Sequence, residues 1–176
     1  MIRLESDKRI VSWQGDVYRL AHPKYAGPDD FLSGEGAKLK GARWNPPCGP
    51  RALYASSSPE LAAEETFAIA RQFGFAPRNL LPRVIKAIHV RVSRLIDATN
   101  GDIRRSLQVS RQRMLDTDWR KANAIGQEAL TQAIGRAAAE TGIEGLIVSS
   151  AVWPDQANLV IFVGNLRGNS HIEVVP

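Results

Sequence analysis

Strand-like alternation sits at both ends of this chain, with helical periodicity between, and that order is the strongest constraint on its fold. Residues 84–92 (VIKAIHVRV) alternate apolar with polar side chains at almost every step, as a half-buried strand does. An earlier strand is expected over 17–21, where Tyr18 and Leu20 alternate with Val17 and Arg19, and a short one over 51–55. The last third holds three more, GLIVSS, NLVIFV and HIEVV. Polar helical sequence fills 102–121, and an amphipathic helix is expected over 124–141, stopped by Gly142. Strands this far apart share a sheet only through long-range pairing. The chain of 176 residues is therefore expected to be one α+β domain, 1–176, with a mixed sheet core and flanking helices.

Residues 22–41, rich in Gly, Pro, Asp and Lys, read as a long irregular loop, and loops of that length in a compact domain tend to carry function. After residue 55, Ser57 or Ser58 caps a helix with Pro59 in its first turn, which runs to about Gln72 and ends at Gly74. On its wheel Leu61, Ala62, Ala68 and Ile69 surround Glu65, so this carboxylate sits in the stripe that faces the core. A buried carboxylate needs a cationic partner or a cavity that a ligand enters. Glu64 lies further round and reaches water.

The net charge of +5 favours anionic company. Arg104, Arg105, Arg111, Arg113, Arg120 and Lys121 read as a solvated helical face, whereas Arg19, Lys38, Lys40, Arg43 and Arg51 surround the glycine-rich segment and read as a site. There, Gly34, Gly36, Gly41 and Gly49 permit close approach of backbone N–H groups to an anion; Arg43 can hold a phosphate bidentately, and Trp44 offers a flat apolar face. One cysteine, Cys48, excludes an internal disulfide, and with three histidines no metal site is expected. The N-terminal stretch lacks the apolar run of a secretory signal and no segment is long enough to span a membrane, so a reducing cytoplasm is expected. Neither a dinucleotide-binding glycine fingerprint nor a phosphate-binding P-loop occurs.

A carboxylate in a dry pocket, opposite arginines and aromatics, suits cleavage of an N-glycosidic bond, in which positive charge develops on the sugar. NAD fits such a pocket because nicotinamide is already a cationic leaving group.

SGEGAKLKGARWN, LYASSSPELAAEE and GLIVSSAVWPDQANLVIF resemble the RES-domain family of toxins from bacterial RES–Xre toxin–antitoxin pairs. The resemblance implies a fold like that of ADP-ribosyltransferase toxins and consumption of NAD as substrate by hydrolysis or phosphorolysis, with transfer of ADP-ribose to a protein as an alternative outcome. It also implies an Xre-family helix-turn-helix antitoxin as partner, with no direct nucleic-acid contact except through that antitoxin. Residue by residue, Arg43, Tyr54 and Glu65 match the family's catalytic positions. Arg19, Ser150 and Asn158 match further family positions and are expected to bind NAD, as is Gly41 from the glycine-rich segment; Ser149 stands where the family has proline, so two hydroxyls compete for one role.

Outside the resemblance, Trp119 reads as a packing anchor and His89 as a strand residue. Ser150 lacks the Gly-x-Ser-x-Gly elbow of a serine hydrolase. A non-enzymatic alternative is a basic nucleic-acid-binding module that uses residues 104–121.

Overall fold

The structure, a computed structural model, describes residues 9–72 and 74–176, and of Ile69 the backbone alone. Most of the polar N-terminal stretch and the Ile69 side chain of the expected stripe thus lie outside the described residues.

Two long strands carry the sheet. β1 (Ile10–Ala21) runs antiparallel to β3 (Val84–Asp97) along its whole length, from Ile10↔Ile96 to Ala21↔Val84, with an irregularity between Val11 and Trp13. Both outrun the expected strands, because the alternation is broken at their ends while backbone pairing continues. β2 (Ala52–Ser56) pairs antiparallel with β5 (Ala157–Phe162), and β5 with β4 (Gly145–Ser149). β4 lies parallel to the end of β3, Leu95–Asp97, while β6 (His171–Val174) adds antiparallel to Ile88–Arg91 of the same strand. β2 meets β1 through Tyr18↔Ser56, so β1–β2–β5–β4–β3 returns to its starting strand. The architecture is the mixed α+β sheet with flanking helices that the order of elements implies.

Parallel pairing of β3 and β4 demands a crossover. It is built from α4 (Gly101–Ser106), α5 (Arg111–Leu115), α6 (Trp119–Ala124) and α7 (Leu130–Glu140). The polar stretch 102–121 is not one helix. Asn100, Ser110 and Asp118 each accept a backbone N–H at a new N-terminus, from Asp102, Arg113 and Lys121, and so divide it. α7 starts later than expected because Gly126, at φ +72°, ends the preceding turn.

Residues 22–41 are likewise more regular than expected. They form a 3₁₀ turn (Pro23–Tyr25), α1 (Pro28–Leu32) and α2 (Glu35–Lys40). Gly34 (φ +68°) and Gly41 (φ +71°) flank α2, so these glycines serve helix borders. α3 (Pro59–Gln72) begins as the sequence indicates, with Ser58 Oγ accepting the Leu61 N–H at 3.1 Å.

The period of two divides the core into two clusters. Ala52, Leu146, Val148, Val160 and Phe162 join Ile103, Met114 and Ile134 of the crossover. Leu53, Ala55, Leu159 and Ile161 point the other way, toward Val17, Phe31, Ile88 and Val90. Glu144, the residue before β4, is fully buried and accepts from the Ser93, Arg94 and Arg167 N–H groups and from Ser170 Oγ, which ties the chain after β5 to β3. No helix of the described residues is long and apolar enough to cross a membrane.

Candidate active site

One face of α3 is apolar and buried at Leu61 and Ala62 and then opens onto a cleft of about 480 Å³, within the usual size range of ligand sites. Glu65, partly buried, lines this cleft together with Thr66 and Gln72 of the same helix. The stripe-centred acid is thus a cavity residue, and among the described residues it makes no ion pair. Glu64, on the outer side, is bridged to Arg71 at 2.7 Å.

Two strand ends hold the Glu65 carboxylate. Its Oε1 accepts from Ser150 Oγ and from Asn158 Nδ2, each at 2.6 Å. The direction of the first bond is fixed by valence: Ser150 Oγ already accepts the Val152 and Trp153 N–H groups at 3.0 Å each, so its one hydrogen goes to the acid. Both protein bonds fall on Oε1, and Oε2 receives none from the described residues. Asn158 Oδ1 is buried without a partner. Ser150 is the hydroxyl that reaches Glu65. The Ser149 hydroxyl instead accepts from Arg111 Nε at 3.4 Å.

Arg43 lines the cleft but is not a free phosphate fork. Its Nη1 donates to the carbonyls of Met114, Leu115 and Thr117, at 3.1, 3.4 and 3.1 Å. These groups lie at the end of α5 and in the turn before α6, so one guanidinium nitrogen clasps the crossover while Nη2 and Nε make no hydrogen bond to the described residues. Burial lowers the affinity of Arg43 for its proton, and the Glu65 charge opposes that effect.

The peptide around Arg43 is held from two sides. Tyr54 Oη donates to Asn45 Oδ1 at 2.7 Å and accepts the Trp44 N–H at 2.9 Å, and burial raises its pKa far above the ordinary phenol value. Gln132 Nε2 of α7 donates to the carbonyls of Ala42 and Asn45. The Tyr54 hydroxyl is spent on positioning this loop, and its ring forms part of the cleft wall. Trp44 is 3% exposed and packs in the core, so although it belongs to the cleft lining it is a wall residue rather than an open stacking platform. Gly41 lies outside the cleft lining, and its N–H is bonded to Ala37 O at 2.8 Å, so it is a backbone device rather than an anion donor.

Arg19 lines the cleft from β1. Its Nη1 donates to Tyr54 O at 3.0 Å, its guanidinium lies 5.8 Å over the Phe31 ring, and its Nε is buried without a partner. Burial lowers its pKa as well. Of the other cations expected around the site, Arg51 and Lys38 pair with Glu35. In the group read as a solvated face, Arg104 donates to the Ala98 carbonyl, Arg105 pairs with Asp102, and Arg111 pairs with Asp155 at 3.3 Å. Arg120 and Trp119 line the cleft, contrary to the expectation for both.

The RES domain family matches residues 16–175, which takes in every side chain described above. This chain belongs to that family. Among curated relatives, the NAD(+) phosphorylases MbcT of Mycobacterium tuberculosis and Mycobacterium bovis are 28% identical over 122 residues, 68% of this chain. That alignment spans 63% of the relatives' length, less than two-thirds. The fold is similar to a chain of the M. tuberculosis MbcT–MbcA toxin–antitoxin complex, with a TM-score of 0.74, 22% identity, and coverage of 97% of this chain and 86% of the other. Among the described residues no cluster of His, Cys, Asp and Glu could hold a metal ion.

Proposed function

We propose that this RES domain binds NAD in the cleft and cleaves its nicotinamide–ribose bond. The observation that carries the reading is the Glu65 carboxylate, fixed on one oxygen by Ser150 and Asn158 and presenting the other to a cavity that arginines also line. In this reading the C1′–N bond breaks with its electron pair passing to nicotinamide, which leaves neutral. The ribosyl cation so formed is stabilised by the carboxylate, whose free oxygen also holds a ribose hydroxyl. Arg43 and Arg19 bind the diphosphate, and Tyr54 and Gln132 act through the loop that they fix. Orthophosphate is the favoured acceptor because the curated relatives are named phosphorylases. Its oxygen bonds to C1′ and yields ADP-ribose 1-phosphate.

In the same reading the chain is the toxin of a toxin–antitoxin pair, a role supported by its likeness in fold to a chain of the MbcT–MbcA complex. An Xre-family helix-turn-helix antitoxin is the expected partner. The test is to incubate purified protein with NAD, with and without orthophosphate and cell lysate, and to measure nicotinamide and the ribose product. Nicotinamide release that depends on phosphate and disappears in Glu65→Ala is expected. Free ADP-ribose would indicate water as acceptor, and label on a protein band would indicate transfer. No nicotinamide release under any of these conditions removes the proposal.

A further inference from the structure

We propose that Arg120, laid on the face of Trp119 at the cleft, is a second phosphate-binding cation that works with Arg43 as a two-guanidinium seat for a phosphoryl anion. The seat is read from the residues themselves and rests on the NAD reading only for the name of its ligand.

Arg120 is preorganised. Its guanidinium carbon stands 4.3 Å from the Trp119 ring centroid, and Nη1 donates to Gln72 Oε1 at 3.1 Å. A long side chain held by stacking and by a hydrogen bond gives up little further rotamer freedom when an anion arrives. Trp119, Arg120 and Gln72 all line the cleft that holds Glu65 and Arg43.

Charge points the same way. Arg43 and Arg120 lie close enough for the positive charge of one to oppose that of the other, and both lose proton affinity through burial. Among the described residues, Glu65 offsets the charge of Arg43 and Asp118 offsets that of both. Two partly desolvated like charges in one cavity repel, and an anion seated between them turns that repulsion into attraction. The two are also mechanically linked, since Arg43 Nη1 holds the Thr117 carbonyl just before Trp119.

Spacing along α3 selects the occupant. Gln72, the anchor of Arg120, lies two helical turns beyond Glu65, about 10 Å along the same face. A sugar reacting at Glu65 would therefore have its phosphate substituent, rather than its reacting carbon, near Arg120. This favours the diphosphate of a dinucleotide over a free orthophosphate acceptor as the occupant.

The test titrates the full chain, as wild type, Arg120→Gln and Arg120→Lys, with inorganic pyrophosphate, orthophosphate, NAD and nicotinamide riboside by calorimetry. Arg120→Gln is expected to weaken pyrophosphate and NAD about tenfold, the value of one charge-assisted hydrogen bond, and to leave nicotinamide riboside unchanged. Arg120→Lys should recover part of the loss. Trp119→Leu, which removes the platform and keeps the charge, should weaken pyrophosphate about threefold. A loss confined to orthophosphate supports the seat and assigns it to the free acceptor. Binding of both inorganic anions unchanged in Arg120→Gln, or absent from the wild type, overturns it. Arg120-dependent pyrophosphate binding without nicotinamide release keeps the seat and removes the NAD reading. NAD turnover with the same KM in wild type and Arg120→Gln does the reverse.

Discussion

Gly135 of α7 is where a single methyl group has the largest calculable effect. A Cβ there would lie 1.8 Å from the carbonyl oxygen of Trp44 and 2.8 Å from its carbonyl carbon. To restore ordinary contact, helix and loop must separate by roughly 1 Å or more. The loop cannot yield alone. The Trp44 indole is buried in the core, the Trp44 N–H is bonded to Tyr54 Oη, and the flanking carbonyls of Ala42 and Asn45 are bonded to Gln132, one turn from Gly135 on the same helix. Overpacking of this kind costs about 1–3 kcal/mol, and losing both Gln132 bonds adds about 1 kcal/mol each, so Gly135→Ala is expected to destabilise by about 3–5 kcal/mol.

For a domain of this size that is a fall of about 10 °C in the unfolding midpoint. The same chemical change at Gly36 is the control. Gly36 lies in α2 with no heavy atom within 4 Å of its would-be Cβ, so Gly36→Ala should stabilise by about 0.5–1 kcal/mol. The assay is thermal unfolding of the three proteins by circular dichroism, with NAD turnover measured on each. A Gly135→Ala midpoint within about 2 °C of wild type would refute the claim that α7 and the Arg43 loop are locked together.

Three further outcomes follow from the same contacts. Glu65→Gln should lower kcat by about 10²–10³ with little change in melting temperature, because the amide keeps an acceptor for Ser150 but not the negative charge; steady-state nicotinamide release and a melt check it. Tyr54→Phe leaves Asn45 Oδ1 and the Trp44 N–H without their partner, so a loss of about 1–3 kcal/mol in denaturant unfolding and weaker NAD binding through Arg43 are expected. Glu144→Gln replaces an all-acceptor group surrounded by donors, and should cost about 2–4 kcal/mol of stability while the folded fraction turns over normally.

A cleft residue is legible in this sequence where it contradicts its local pattern. Glu65 breaks an apolar stripe, and that conflict locates the cleft wall. Ser150 and Asn158 carry no such conflict; resemblance alone points to them, and their shared contact with Glu65 is a long-range fact. Trp119 and Arg120 escape a reading by pattern because polar helical sequence looks the same whether it faces solvent or a cavity. Arg43 reads as an anion ligand, but the carbonyl groups that hold it lie more than seventy residues away. Two further signals are visible in hindsight. Gly135 sits in AIGRAAAE, where Ala would be the better helix former by about 1 kcal/mol, so a glycine there marks close approach of another backbone. Glu144 interrupts an apolar run at the mouth of a strand, the position of an acid that meets backbone donors.

The sheet itself explains why the cleft lies where it does. Tyr18 pairs with Ser56, Ser56 with Asn158, and Asn158 with Val148, so one row of residues crosses β1, β2, β5 and β4. All four members of that row line the cleft. Tyr18↔Ser56 is the link that closes the circuit of strands, and beyond it β1 and β2 part. Where a ladder would have continued, Arg19 reaches across with Nη1 to the Tyr54 carbonyl, so a side chain replaces the missing backbone donor and brings a cation to the gap. The acid arrives from the helix that follows β2, and its two ligands from the ends of β4 and β5. The cavity opens beside the place where β1 and β2 are joined by a single pair, and one of the cations that line it, Arg19, stands in for a backbone donor there.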